Sequence, residues 1–109
     1  MDYRRAYVKG GCYFFTVTLA NRKEKLLVQH IDALRASIKY VKDRHPFIIN
    51  AIVILPDHLH CIWTLPNGDC DYAKRWSLIK IHFSKQLPKT ERINSSRLQK
   101  GERGIWQRR

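Results

Sequence analysis

The sequence predicts a single α+β domain, one antiparallel sheet with helices packed on one side, and three observations carry that reading. The 109 residues are enough for one hydrophobic core and not for two. Strand-sized apolar runs are interspersed with stretches of helical period. Two of those runs, "FIINAIVIL" and "HLHCIWTLP", are joined only by Pro56 and Asp57, and so short a link allows only a hairpin.

The elements follow in order. In "GGCYFFTVTLA", Tyr13, Phe15, Val17 and Leu19 share one face, and Phe14, Thr16 and Thr18 share the other, more polar one. "NRKEK" breaks this first strand. From about Gln29 to Arg44 the period becomes helical, with Ile31, Leu34, Ile38 and Val41 in one stripe. "HPF" ends the helix, because the residue before a proline is pushed out of the α region. "FIINAIVIL" is apolar on both sides, which predicts a central strand. "HLHCIWTLP" is the third strand. Asp71 is placed to cap a second helix, whose apolar face is Tyr72, Trp76, Ile79, Phe83 and Leu87, before Pro88 stops it. Residues 88–103 read as a flexible polar loop, and "IWQRR" as the start of a fourth strand. The order β-α-β-β-α-β is the ferredoxin-like pattern, with both helices on one face of the sheet.

Composition narrows the function. Lys and Arg number 21 against 9 Asp and Glu, a net charge of +12. Such a surplus attracts polyanions, nucleic acid first. An anionic membrane surface would call for a basic amphipathic helix or a polybasic end, whereas these charges are spread along the chain. No run approaches the ~20 residues of a membrane span and no signal region opens the chain, so the expected location is cytoplasmic, with no membrane partner. Cys12, Cys61 and Cys70 form no C-x-x-C pair, and their odd number closes no disulfide framework. They read as structural thiols.

In the third strand Leu59, Cys61, Trp63 and Leu65 face one way, toward the helices. His58, His60, Ile62 and Thr64 face the other, so two imidazoles should stand together on the uncovered face. Residues i and i+2 lie roughly 6.5–7 Å apart along a strand, and neutral imidazole is the commonest metal-donating side chain. The pair reads as half of a metal site. The triplet alone also fits two solvated strand histidines, and two ligands are too few for structural zinc.

Three stretches, "YRRAYVKGGCYFFTVTLANR", "HPFIINAIVILPDHLHCIWTLPNGDCDYAKRWSLIKIHFSK" and "RGIWQRR", resemble the REP-associated tyrosine transposases, which are single-tyrosine HUH transposases. The resemblance covers nearly the whole chain. It is most specific at "LPDHLHCIWTLP" followed by "RW" and "IK", and weakest from Pro88 to Gln99. It implies that His58 and His60 are the two histidines of the HUH motif and hold a divalent ion, Mg²⁺ or Mn²⁺. The ion would polarise the scissile phosphate of single-stranded DNA. A tyrosine would then attack, leaving a 5′-phosphotyrosine and a free 3′-hydroxyl. The implied substrates are hairpins of repetitive extragenic palindromes. Family members continue past "WQRR" into a helix carrying the tyrosine and a further metal ligand. This chain ends at Arg109, and Tyr3, Tyr7, Tyr13, Tyr40 and Tyr72 all lie outside that context. The expectation is a C-terminally incomplete domain, its nucleophile beyond Arg109, that binds DNA without cleaving it.

Residues 1–10 form a basic arm in which Arg4, Arg5 and Lys9 are interleaved with Tyr3 and Tyr7, a combination suited to single-stranded or hairpin DNA. Lys80 and Lys85, with Lys74 and Arg75 on the same helix, are candidate phosphate contacts, as are Arg108 and Arg109. The alternative reading is a non-catalytic ferredoxin-like nucleic-acid-binding module. Such a module displays aromatics on its open central strands, and the third strand offers none there. Either a monomer or a homodimer fits.

Overall fold

The computed structural model describes residues 2–3, 11–88 and 104–107. Period-two alternation sets the sheet. In β2 (Cys12–Thr18) Tyr13, Phe15 and Val17 are buried while Cys12 and Phe14 are exposed. In β4 (His58–Thr64) Leu59, Cys61 and Trp63 are buried and the residues between them are half-buried. Successive strand side chains point to opposite faces, so the two strands together make one dry face and one open face. With β1 (Asp2–Tyr3) and β3 (Ile48–Ile54) the order is β1-β2-β4-β3, and every pairing is antiparallel.

Two helices cover the dry face. α2 (Ile31–Arg44) contributes Leu34, Ile38 and Val41, and α3 (Tyr72–Lys85) contributes Tyr72, Trp76, Ile79 and Phe83. α2 begins later than the sequence predicts. A separate turn, α1 (Leu26–Gln29), precedes it, and His30 at φ −117° interrupts the helix between them. Asp71 caps α3 as expected, accepting Lys74 N–H at 3.1 Å. Trp63 lies on Trp76 with ring centres 4.5 Å apart, and Phe15 meets both rings edge-on. A core this interlocked makes a truncation such as Leu59→Ala cost about 2–5 kcal/mol.

The structure corrects several expectations. β3 is an edge strand, not a central one. Its apolar residues face both ways, but only one side is covered. The register with β4 slips between Ile49 and Ala51, and this bulge at Asn50 keeps Ile49 and Ile54 packed against the core. Ile48 and Val53 are left exposed on the open face, opposite Thr64 and His60.

The predicted fourth strand is a single bridge, Leu19 to Trp106, flanked by Ala20 N–H to Ile105 O and Gln107 N–H to Thr18 O. The edge of β2 that it borders is shared with β1 (Asp2 opposite Thr16, Tyr3 opposite Phe15), so the outer two residues of the arm form a strand. The antiparallel sheet with both helices on one face is as predicted, while among the described residues the fourth strand of a ferredoxin-like order is represented by the Leu19–Trp106 bridge alone. The rest of residues 1–10 and residues 89–103 lie outside the described residues.

Arg75, placed off the core face by periodicity, is 4% exposed. It donates to the carbonyls of His45, Pro46 and Asp71 and to both oxygens of Asp69, at 2.9 to 3.2 Å. Its planar fork joins the end of α2 to the loop that starts α3. Arg75 is a structural clamp and is not available to phosphate.

Candidate metal and DNA site

The site grows from the β3–β4 hairpin. Leu55 N–H bonds His58 O at 2.8 Å across the Pro56–Asp57 turn. That turn is also tied to the segment after β2: Leu19 N–H donates to Asp57 O at 2.8 Å and Leu27 N–H to Pro56 O at 3.3 Å. The intervening chain turns at Asn21, whose side chain accepts Lys23 N–H at 3.0 Å. Arg22 is thereby brought against Asp57, Nε to Oδ2, at 2.7 Å.

His58 and His60 stand together on the open face, ring centres 5.0 Å apart and nearly perpendicular. Each is held at Nδ1. His58 Nδ1 meets Asp57 Oδ1 at 2.8 Å. The Arg22 hydrogen bond, with help from His58, lowers the Asp57 carboxyl to about 2, so Asp57 is an acceptor and His58 Nδ1 must carry the proton. His60 Nδ1 lies 3.0 Å from Thr16 Oγ1, its register partner on β2, and its ring stacks on Phe14 with centres 5.8 Å apart. Among the described residues neither Nε2 has a hydrogen-bond partner.

This donor set suits a divalent ion. With Nδ1 donating, as the Asp57 carboxylate requires at His58, the neutral imidazole presents its Nε2 lone pair, and a carboxylate behind a histidine raises its basicity as a ligand. Thr16 Oγ1 can accept from His60 Nδ1 in the same way. Both Asp57 oxygens are engaged by His58 and Arg22, so Asp57 orients and does not ligate. Among the described residues no group of three or more His, Cys, Asp or Glu could hold a metal. The remaining positions fall to water, to phosphate oxygens or to residues not described.

The other predicted residues are not gathered here. Lys80 is half-buried and Lys85 exposed on α3, across the sheet from the histidines. Burial lowers Lys80 to about 8, and its ammonium sits 5.9 Å from the centre of the Trp106 ring. Arg4, Arg5, Lys9, Arg108 and Arg109 lie outside the described residues. Tyr13 and Tyr72 are core, and Tyr40 stacks on His82 on the helical side. Cys61 is buried as expected, but Cys12 is exposed, bonded to Thr64 Oγ1 at 3.1 Å. Sequence reasoning missed Arg22, Asp57 and Thr16 as partners of the histidines. Only Thr16 left a trace, through its place on the polar face of the first strand.

A protein with this arrangement has close relatives. A REP-associated tyrosine transposase of Escherichia coli K12 is 54% identical over 83 residues, 76% of this chain and 50% of that protein. A Haemophilus influenzae Rd protein of the same family name is 44% identical over 109 residues, 99% of this chain and 62% of its own length. The chain is a homologue of the REP-associated tyrosine transposases. A solved structure of such a transposase, bound to a REP hairpin, superposes with TM-score 0.77 at 46% identity, covering 100% of this chain and 58% of that one. A Deinococcus radiodurans protein assigned to the transposases shares the fold at TM-score 0.57 and 16% identity, over 79% of this chain and 65% of its own. No family model matches. The chain thus spans between half and about three-fifths of the length of the transposase relatives it matches. No helix among the described residues is long and apolar enough to cross a membrane.

Proposed function

We propose that this chain binds hairpin or single-stranded DNA and presents a phosphate to a divalent ion, Mg²⁺ or Mn²⁺, on His58 and His60, as part of an HUH-type strand-transfer chemistry. The observation that carries the reading is that both imidazoles, on the open face of the sheet, have Nδ1 engaged and no partner for Nε2 among the described residues. When bound, the ion supplies Lewis-acid polarisation of the phosphate. The chain's own part is to fix that ligand pair: Asp57 and Arg22 hold His58, and Thr16 and Phe14 hold His60. The net charge of +12 draws the polyanion in.

None of Tyr13, Tyr40 and Tyr72 lies on the histidine face, so none of these three supplies the attacking oxygen in this reading. Lys80, Lys85 and the basic residues of both termini serve as phosphate contacts around the hairpin. A cytoplasmic setting, with access to chromosomal DNA, goes with this reading.

Titration of a labelled REP-type hairpin against a random duplex at several salt concentrations tests it. The hairpin should bind more tightly. If about 4–6 phosphates are neutralised, log K should fall against log salt with a slope of about −3 to −5. Equal affinity for the duplex at matched salt would reduce the protein to a non-specific polycation.

A further inference from the structure

Phe14, whose ring stacks on His60, keeps much of its surface open on the same face of the sheet. Phe14 is 42% exposed, although burying an aromatic ring is a large hydrophobic gain. It lies beside the histidine pair, its ring at 17° to that of His60. In register it is opposite Ile62, which is opposite Ala51 on β3, and Val53 is opposite His60. Ala51 and Val53 are both exposed. Adjacent strands are about 4.8 Å apart, so Phe14, Ile62 and Ala51 form an apolar strip about 10 Å across, with Phe14 against the His60 ring. The residues β2, β3 and β4 place on this face include no carboxylate. On β1, Asp2 stands opposite Thr16 in register, and Asp57, beside His58, is paired with Arg22.

We propose that Phe14 and this strip are a stacking subsite for one unpaired nucleobase, the base adjoining the phosphate held at the histidines. The proposal rests on the function proposed above and adds where the neighbouring base goes. An aromatic face accepts any base, and open-sheet aromatics in other nucleic-acid-binding folds do the same. The third strand carries no such ring, so the aromatic comes from its neighbour β2. A further stretch of polypeptide is the competing occupant of the strip, but the net charge of +12 and the absence of carboxylates from β2, β3 and β4 on this face favour a nucleotide.

The test uses Phe14→Leu and Phe14→Trp with two labelled oligonucleotides, a hairpin carrying a single-stranded flank and the same hairpin without it, read by fluorescence anisotropy at fixed salt. Phe14→Leu should lose about 5- to 50-fold in affinity for the flanked hairpin and nothing for the flankless one, while Phe14→Trp should keep wild-type affinity. An abasic site in the flank should cost the wild type the same factor and cost Phe14→Leu almost nothing more. All titrations are run in saturating Mn²⁺, so that a change in the setting of His60 does not enter the comparison. Equal binding of Phe14→Leu and wild type to the flanked hairpin overturns the subsite, as does an equal loss on both hairpins. A lower melting temperature with unchanged binding overturns it in favour of polypeptide on the strip. If the wild type binds neither hairpin, the proposed function itself fails and the subsite with it.

Discussion

Asp57 Oδ1 accepts the Nδ1–H of His58 at 2.8 Å while its other oxygen takes Arg22 Nε–H at 2.7 Å. The residue next to His58, a metal ligand in the proposed function, is thus committed to orienting it. Asp57→Ala should weaken Mn²⁺ binding about 10–100-fold, read by electron paramagnetic resonance of the free ion. Asp57→Asn, which keeps an acceptor, should lose less. Unchanged Mn²⁺ affinity in Asp57→Ala would show that the carboxylate does not orient the ligand.

Arg75 should matter to stability and not to DNA. Its removal leaves the His45 and Pro46 carbonyls without their Arg75 donor and leaves Asp69 with the Asp71 N–H alone among those bonds. Arg75→Met should cost about 3 kcal/mol in urea unfolding, and Arg75→Lys a good part of that, since an ammonium cannot reproduce the fork. Lys74→Ala and Lys85→Ala, both on the exposed side of α3, should stay within about 0.5 kcal/mol.

Lys80 supplies a pH dependence. Its folded value of about 8 is below the ordinary 10.5 because burial disfavours the charged form. Between pH 8 and 10.5 the unfolded chain therefore binds a proton that the folded chain does not, and the Lys80 contribution to stability rises with pH. The stability of wild type minus that of Lys80→Met should climb across this window by up to about 3 kcal/mol. A flat difference would place the ammonium in water.

The cysteines should separate by reactivity. Burial pushes the Cys61 thiol up to about 12, so a thiol reagent at pH 8 should modify exposed Cys12 in the native protein. Cys61 should react only on unfolding. Rapid native labelling of Cys61, located by mass spectrometry, would contradict its place under the helices.

How much of this was legible in the sequence depended on whether a local period carried it. Alternation in "CYFFTVT" and "HLHCIWT" and the stripes of the two helices placed nearly every core residue, including Trp76, and put His58 and His60 on the open face. The position of "FIINAIVIL" did not follow, because an apolar run records that a strand has apolar faces and not whether both are covered. The bulge at Asn50 leaves no periodic mark at all. Arg75 read as a surface cation and candidate phosphate contact because two of its partners, His45 and Pro46, are distant in sequence. Arg22 and Asp57 were invisible as a pair for the same reason: the contact across 35 residues exists only because Leu19 and Leu27 are tied to the hairpin turn.

The central claim is that the two Nε2 atoms on the open face hold one divalent ion. Stepwise addition of Mn²⁺ while following the side-chain NMR signals of the five histidines tests it most directly. Selective broadening of His58 and His60, ahead of His30, His45 and His82 and abolished by His60→Ala, is the predicted result. Uniform broadening of all five, or broadening that survives His60→Ala, would contradict it.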